Sequence, residues 1–219
     1  MCWPTRTLDY FTMFPYNGNI VKRNYNLEKL EKLEYFNLEV LRKFVDLEGT
    51  SLYKFVMRKV KQKKFIYIKK GLYTTSEYLK NVDRDIFVER IANIIKVPSY
   101  ISMEYMLDKY SILSESVFII TSLTTKKTNN YNNDFGRFYY RNIDDSLFDG
   151  FFLNNGIYYA TKAKAIFDFF YFKPKDVALE EYRLNLSEIT SKDIEEFGRY
   201  AIKSKKLLIL YEELKNHVH

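Results

Sequence analysis

The sequence predicts an α+β fold in two parts, and three observations support this prediction. Segments with helical apolar spacing are interleaved with short runs rich in β-forming residues, which indicates helices and strands in one chain. The chain of 219 residues is long enough for one large domain or two small ones. Positive charge is concentrated near the amino end: residues 1–80 hold 16 Lys or Arg and 8 Asp or Glu, whereas residues 81–219 hold 19 and 20. We therefore expect an irregular extension over residues 1–26, a basic domain over 27–80 and a mixed α+β domain over 81–219.

The basic domain combines three helical patterns with a predicted β-hairpin. These segments cover residues 27–35, 38–46, 50–63 and 65–75. Asn37 is the expected N-cap of the second helix, and Thr50 or Ser51 that of the third. The turn Lys69-Lys70-Gly71 joins the two strands, with Gly71 supplying a positive φ. Helices followed by a two-stranded wing are typical of a winged helix-turn-helix, whose third helix enters a DNA groove.

The third helix and the hairpin turn supply the candidate DNA contacts. They are Ser51, Tyr53, Lys54, Arg58 and Lys61 from the helix, and Lys69 and Lys70 from the turn. Arg58 is the best candidate for a base edge, because a guanidinium pairs bidentately with guanine. Lysines more often neutralise phosphates, which gives affinity without sequence preference. A solvated basic face without a nucleic-acid partner is the alternative.

The carboxyl-terminal domain is predicted to be a small antiparallel or mixed sheet with helices at its end. Strands are expected over residues 116–123, 136–143, 151–153 and 157–160, and helices over 82–97, 103–110, 162–173, 176–182, 192 onward and 204–216. Asn154-Asn155-Gly156 is a strong hairpin signal. The Asn-rich segment 124–134 is expected to be a loop or hairpin tip, and Ser102 and Ser191 are expected N-caps.

Two further groups in this domain carry charge. Lys126, Lys127, Arg137 and Arg141 form a second basic group, which would extend a DNA footprint, contact RNA or a partner protein, or be a solvated rim. Lys164 and Asp168 are spaced i, i+4 on one predicted helix. We expect them to form an exposed ion pair that contributes a few tenths of a kcal/mol.

Several classes of function are disfavoured by the residue inventory. Cys2 is the only cysteine and the histidines are His217 and His219, so we expect no disulfide, no metal site and no Ser-His-Asp catalytic set. A metal-dependent nuclease would need a cluster of carboxylates, and the candidates are Asp144, Asp145, Asp149 and Asp168. No carboxylate-x-Lys motif or glycine-rich phosphate loop accompanies them. We therefore expect neither an enzyme nor a cofactor. No apolar run is long enough for a membrane helix, and the composition suits a cytoplasmic protein.

The order of several segments resembles the AbiEi family, the antitoxin and transcriptional-regulator component of abortive-infection systems. The matching segments are residues 52–64 with 70–73, 98–104, 121–128, 136–143 with 148–150, and 160–168. The last of these reads Ala-Thr-Lys-Ala-Lys-Ala-Ile-Phe-Asp, and Ala163 stands where the family usually has Glu.

The resemblance implies a sequence-specific, winged-helix repressor that autoregulates a toxin–antitoxin operon through promoter inverted repeats. Its partners would be double-stranded operator DNA and a nucleotidyltransferase-like toxin. The protein would either bind this toxin directly or counteract it without contact. Two other functions remain open from the residues: a nucleic-acid-processing enzyme built on the carboxyl-terminal domain, and a protein-interaction scaffold that uses the winged helix.

Overall fold

The computed structural model describes residues 27–174 and 179–217, and within them it confirms a mixed α+β fold with two sheets. The extension predicted over residues 1–26 lies outside the described residues. No helix in the described ranges combines the length and apolar content needed to cross a bilayer.

The amino-terminal elements form a three-stranded antiparallel sheet with three helices. After a 3-10 turn at Leu30–Lys32 come β1 (Phe36–Asn37), α1 (Leu38–Arg42), α2 (Gly49–Lys61), β2 (Phe65–Lys69), β3 (Leu72–Thr75) and α3 (Ser76–Leu79). The strand order is β1-β3-β2. The apolar stripe of α2 packs as its periodicity predicted, since Leu52, Phe55 and Val56 are all buried in a small core.

Two predicted features of this part, the first helix and the N-cap of α2, differ in the structure. A third, the N-cap at Asn37, is confirmed. The first helix, predicted over residues 27–35, is only the 3-10 turn, because the backbone at Leu33 is extended and leads into β1. The side chain of Asn37 accepts from the Val40 N–H, which confirms this N-cap. The α2 helix begins at Gly49 with Glu48 at its N-cap, so the predicted capping by Thr50 or Ser51 is wrong.

The remaining elements surround a six-stranded mixed sheet. They are α4 (Arg84–Ile95), β4 (Tyr100–Ile101), α5 (Met103–Lys109), β5 (Ile119–Thr124), β6 (Asn129–Asn133), β7 (Gly136–Asn142), β8 (Phe151–Asn154), β9 (Ile157–Ala160), α6 (Lys162–Tyr171), α7 (Ser191–Ala201) and α8 (Lys205–His217), with 3-10 turns at Asp145–Leu147, Leu179–Tyr182 and Leu186–Glu188. The strand order is β6-β7-β5-β4-β9-β8. The β8–β9 hairpin has positive φ at Asn155 and Gly156, which confirms the predicted two-residue turn.

Helices cover both faces of this sheet. The Tyr140 hydroxyl donates to the Ala92 carbonyl of α4, whereas the Tyr100 hydroxyl donates to Asp168 of α6. Tyr140 aligns with Ser122 and Ile101 across the strands, so the side chain of Tyr100 lies on the opposite face. The α4 helix therefore covers one face and α6 the other, with α7 and α8 packed beyond α6.

The Asn-rich segment is an edge strand, not a loop. Residues 129–133 form β6, which pairs antiparallel with β7, so only the turn after Asn133 is a hairpin tip. Strand β5 starts at Ile119 rather than at residue 116, because the chain before it leaves the sheet and Phe118 is 84% exposed. Thr190, not Ser191, caps α7 through a capping box with Asp193.

The β2–β3 hairpin contributes to both hydrophobic cores. Phe65 and Tyr73 belong to the small amino-terminal core, whereas Ile68 and Leu72 belong to the large core that includes α4 and the six-stranded sheet. The Asn133 side chain also donates to the Ile68 carbonyl. The tip of the hairpin is therefore docked on the carboxyl-terminal part, and the division at residue 80 stays a prediction.

Candidate nucleic-acid interface

The outer face of α2 carries an exposed cationic stripe. Ser51, Lys54, Arg58 and Lys61 are spaced by three, four and three residues, which places them along one side of a helix. All four are exposed, as are Tyr53, at 56%, and Met57. With a rise of about 1.5 Å per residue, the stripe from Ser51 to Lys61 is about 15 Å long. The structure thus gathers the five predicted helix residues on the solvent side.

Within the part of the chain that the structure describes, the charges of this stripe have no ion-pair partner, since no carboxylate lies within ion-pair distance of Lys54, Arg58 or Lys61. The Arg58 guanidinium lies 5.6 Å from the centre of the Phe55 ring, which restrains it beside the helix. Burial lowers the pKa of the neighbouring Lys59, and the positive charges of Lys64 and Arg58 lower that pKa further. A polyanion would relieve this accumulation of like charge.

The two lysines of the hairpin turn have different environments. The Lys69 ammonium donates to the carbonyls of Ile94 and Ile95 at 3.1 and 3.0 Å, so it is engaged at the carboxyl end of α4. A cation there interacts favourably with the helix dipole. Lys70 is exposed beside Gly71, whose φ is +78°. Of the two predicted wing contacts, only Lys70 therefore presents its ammonium to solvent.

The second basic group is divided between two places. Lys126 lies near the hairpin turn: burial lowers the pKa of both Lys69 and Lys96, and the charge of Lys126 lowers both further. Lys127 follows it in the same exposed loop. Arg137 and Arg141 instead lie on β7, on the sheet face that includes Thr121 and Tyr139. The structure thus places Lys126 near the β2–β3 turn and the two arginines on β7, so the four residues do not form one group.

Lys164 and Asp168 form a buried ion pair, so the prediction of an exposed pair is wrong. Both side chains are 0% exposed, and the Lys164 ammonium lies 2.6 Å from an Asp168 carboxylate oxygen. The i, i+4 spacing shows that the two side chains are neighbours but not which side of the helix faces the core. Here that side faces the sheet and α7, because α6 is buried from Ala163 to Phe170.

Tyr100 and Ser102 complete the environment of Asp168. Their hydroxyls donate to its second oxygen at 3.0 and 2.7 Å. Ser102 is the N-cap residue of α5, as predicted, but its hydroxyl makes no capping hydrogen bond, because it donates to Asp168 instead. Burial raises the pKa of Asp168, and the donors from Lys164, Ser102 and Tyr100 oppose that rise. Sequence reasoning missed both hydroxyl partners, because they lie more than sixty residues from Asp168 along the chain.

The loop before β8 closes over this pair. Asp149 has one carboxylate oxygen 4.0 Å from the Lys164 ammonium and the other 3.1 Å from that of Lys203. Gly150 has a φ of +68°, and a Cβ at this position would clash with the Tyr200 hydroxyl and the Lys164 side chain. The tight packing explains why glycine follows Asp149. Segments 98–104, 148–150 and 160–168, on which the family resemblance was based, therefore meet at one place.

The four aspartates considered for a nuclease do not form one cluster, although Asp149 and Asp168 both lie beside the Lys164 ammonium. Asp144 accepts hydrogen bonds from Ser146 at the start of a 3-10 turn, Asp149 contacts Lys203, and Asp168 is enclosed with Lys164. Within residues 27–174 and 179–217, no three His, Cys, Asp or Glu side chains are grouped so as to hold a metal ion.

Glu89 is a second buried acid that the sequence did not reveal. It lies on α4 at 4% exposure and accepts from the hydroxyls of Tyr105 and Tyr159, and its carboxylate lies 2.5 Å from the Lys109 ammonium. These contacts tie α4 to α5 and to β9. Most of the other inward residues of α4 are apolar, with Asn93 the exception, and periodicity alone gives no signal for the acid.

A comparison with models of known protein families found no match, and a comparison with curated proteins found none either.

Proposed function

We propose that this protein is a sequence-specific DNA-binding repressor whose amino-terminal part is a winged helix-turn-helix. The observation that carries the proposal is the exposed cationic stripe of α2, which has no ion-pair partner among the described residues and lies beside a β1-β3-β2 sheet. In a winged helix this strand order accompanies a helix that enters the major groove, with the β2–β3 turn beside it as the wing. Ser51, Tyr53, Lys54, Arg58 and Lys61 would contact the groove and its phosphates, and Lys70 the backbone beside it.

The Lys69 contacts support a wing of fixed orientation. A wing whose lysine is held at the end of α4 cannot swing freely, so Lys70 and the α2 stripe keep a constant spacing. Fixed spacing between a groove contact and a phosphate contact determines register on the duplex. Arg58 supplies the base-specific contact in this proposal, and the lysines supply affinity that depends on salt.

We further propose that the repressor acts as the antitoxin of a toxin–antitoxin operon that it autoregulates through inverted repeats. This part rests on the resemblance of the segments between residues 52 and 168. A nucleotidyltransferase-like toxin would be the counterpart, and cytoplasmic operator DNA the site of action. The carboxyl-terminal domain would carry the antitoxin activity or support cooperative binding of two copies to the two half-sites.

Binding to the DNA upstream of its own gene tests the repressor function. In a gel-shift titration we expect the protein to bind this duplex more tightly than a shuffled duplex of equal length and composition. Equal affinity for both duplexes would contradict sequence-specific repression. Co-expression with the adjacent gene tests the antitoxin part separately. We expect cell growth to stop when the adjacent gene is expressed alone and to resume when both genes are expressed together.

A further inference from the structure

We propose that the open part of the sheet face along β6, β7 and the start of β5, which α5 and α6 leave uncovered, binds single-stranded nucleic acid, at a site separate from the α2 stripe. This open sheet face is defined by Asn130 and Asn132 of β6, Arg137 and Tyr139 of β7, and Phe118 just before β5. The inference does not depend on the proposed repressor function.

The strand register places these side chains together. Asn130 aligns with Tyr139, and Asn132 with Arg137. On the other side of β7, Arg137 aligns with Ile119 and Tyr139 with Thr121. Aligned residues on neighbouring strands present their side chains on the same face of a sheet. The amides, the phenol ring and the guanidinium therefore share one face.

Two adjoining grooves cross this face. One has a volume of about 450 Å³ and is lined by Phe118, Arg137, Tyr139 and Arg141 among others. The second, of about 300 Å³, shares Ile119, Arg137 and Tyr139 and adds Asn130 and Asn132. The two grooves therefore adjoin at Ile119, Arg137 and Tyr139, so a chain-like ligand could contact both.

The charges in the grooves favour a polyanion. Arg137 is exposed and has no carboxylate within ion-pair distance among the described residues. The Arg141 guanidinium lies 4.0 Å from the centre of the Phe172 ring, which holds it at the groove edge. Glu104 is the acid in the lining, and its carboxylate lies 3.3 Å from the Lys173 ammonium. Two arginines four residues apart on one strand, with α-carbons about 13 Å apart, thus flank Tyr139.

The aromatic side chains favour single strands over duplex DNA. Phe118 is 84% exposed, the most exposed large apolar side chain among the described residues, and Tyr139 is partly exposed in the same groove. Proteins that bind single strands combine a cationic groove with aromatic rings on which unpaired bases stack. The amides of Asn130 and Asn132 add donors and acceptors for base edges. In a duplex the base faces are stacked on one another, so they are not available to stack on these rings.

Fluorescence anisotropy with a labelled 12-nucleotide RNA of mixed sequence, its DNA equivalent and a duplex tests this inference on the full chain. We expect the parent to bind one or both single strands, and Phe118→Ala or Arg137→Ala to weaken that binding at least about 5-fold. Ile202→Ala and Arg199→Ala are matched controls, since both side chains are exposed on the α7 side of the molecule. A preference for RNA over DNA would support contacts to the 2′-hydroxyl in addition to stacking.

Three results would overturn the inference: no single-strand binding by the parent, unchanged binding by both groove variants, or equal weakening by the Arg199→Ala control. Circular dichroism spectra and thermal unfolding of the same preparations show whether the variants are folded, independently of any duplex binding. A parent that binds single strands through this face but fails on the upstream duplex would sustain this inference and refute the repressor proposal.

Discussion

Replacing Asp168 by Asn is expected to lower the free energy of unfolding by about 3–5 kcal/mol. Lys164 would then keep a buried positive charge with no counter-ion at hydrogen-bond distance, since the Asp149 carboxylate is 4.0 Å away. The side chain of Asn preserves the volume and still accepts from Tyr100 and Ser102, so the loss reports mainly the missing charge. Urea unfolding followed by circular dichroism measures the change.

The exposed pair between Lys80 and Glu77 is the matched control. It has a similar separation of 2.6 Å, but its side chains are 67% and 49% exposed, so Glu77→Gln should leave the free energy of unfolding nearly unchanged. A Lys164→Met, Asp168→Leu double variant should be less destabilised than the two single variants added together, because neither charge is left alone. An Asp168→Asn variant within about 1 kcal/mol of the parent would contradict the buried-pair description.

Removing three cations from α2 is expected to have the largest effect on DNA binding. The variant Lys54→Ala, Arg58→Ala, Lys61→Ala should weaken operator binding and reduce the slope of log affinity against log salt by about 2.7, if each cation neutralises one phosphate. Arg58→Ala alone should cost about 1–3 kcal/mol on the operator and less on a shuffled duplex, whereas Lys70→Ala should weaken both duplexes alike. Titrations at several salt concentrations measure both quantities.

A triple variant elsewhere on the surface separates this effect from net charge. Lys192, Arg199 and Lys205 are exposed on α7 and α8, and replacing them by Ala removes the same number of charges. We expect its salt slope to stay close to that of the parent. Equal slopes of log affinity against log salt for the two triple variants would show that the α2 cations contact DNA no more than those of α7 and α8 do.

The sequence predicted those features that depend on local spacing. The apolar stripe of α2 left one side of the helix for the core, so the exposure of Lys54 and Arg58 followed from periodicity. The β8–β9 hairpin followed from Asn155 and Gly156, because few other residues accept positive φ at both turn positions.

Features that depend on distant partners were not predictable. Asparagine is disfavoured in strands, and Asn129–Asn133 becomes β6 because β7 offers a free edge. Lys69 and Lys70 are adjacent and chemically identical, yet only the fold shows that the end of α4 engages the first. The Lys164–Asp168 pair was found by its spacing, but its burial depends on where the sheet and α7 lie.

Site-directed photocross-linking tests the central claim, that the exposed face of α2 lies against operator DNA. A benzophenone amino acid replaces Tyr53 on α2 in one variant and Ile209 on α8 in another, two exposed side chains on different elements. We predict that the Tyr53 variant cross-links to the upstream duplex and that excess unlabelled operator abolishes the product, while the Ile209 variant gives none. Cross-linking at position 209 with none at position 53 would contradict the claim.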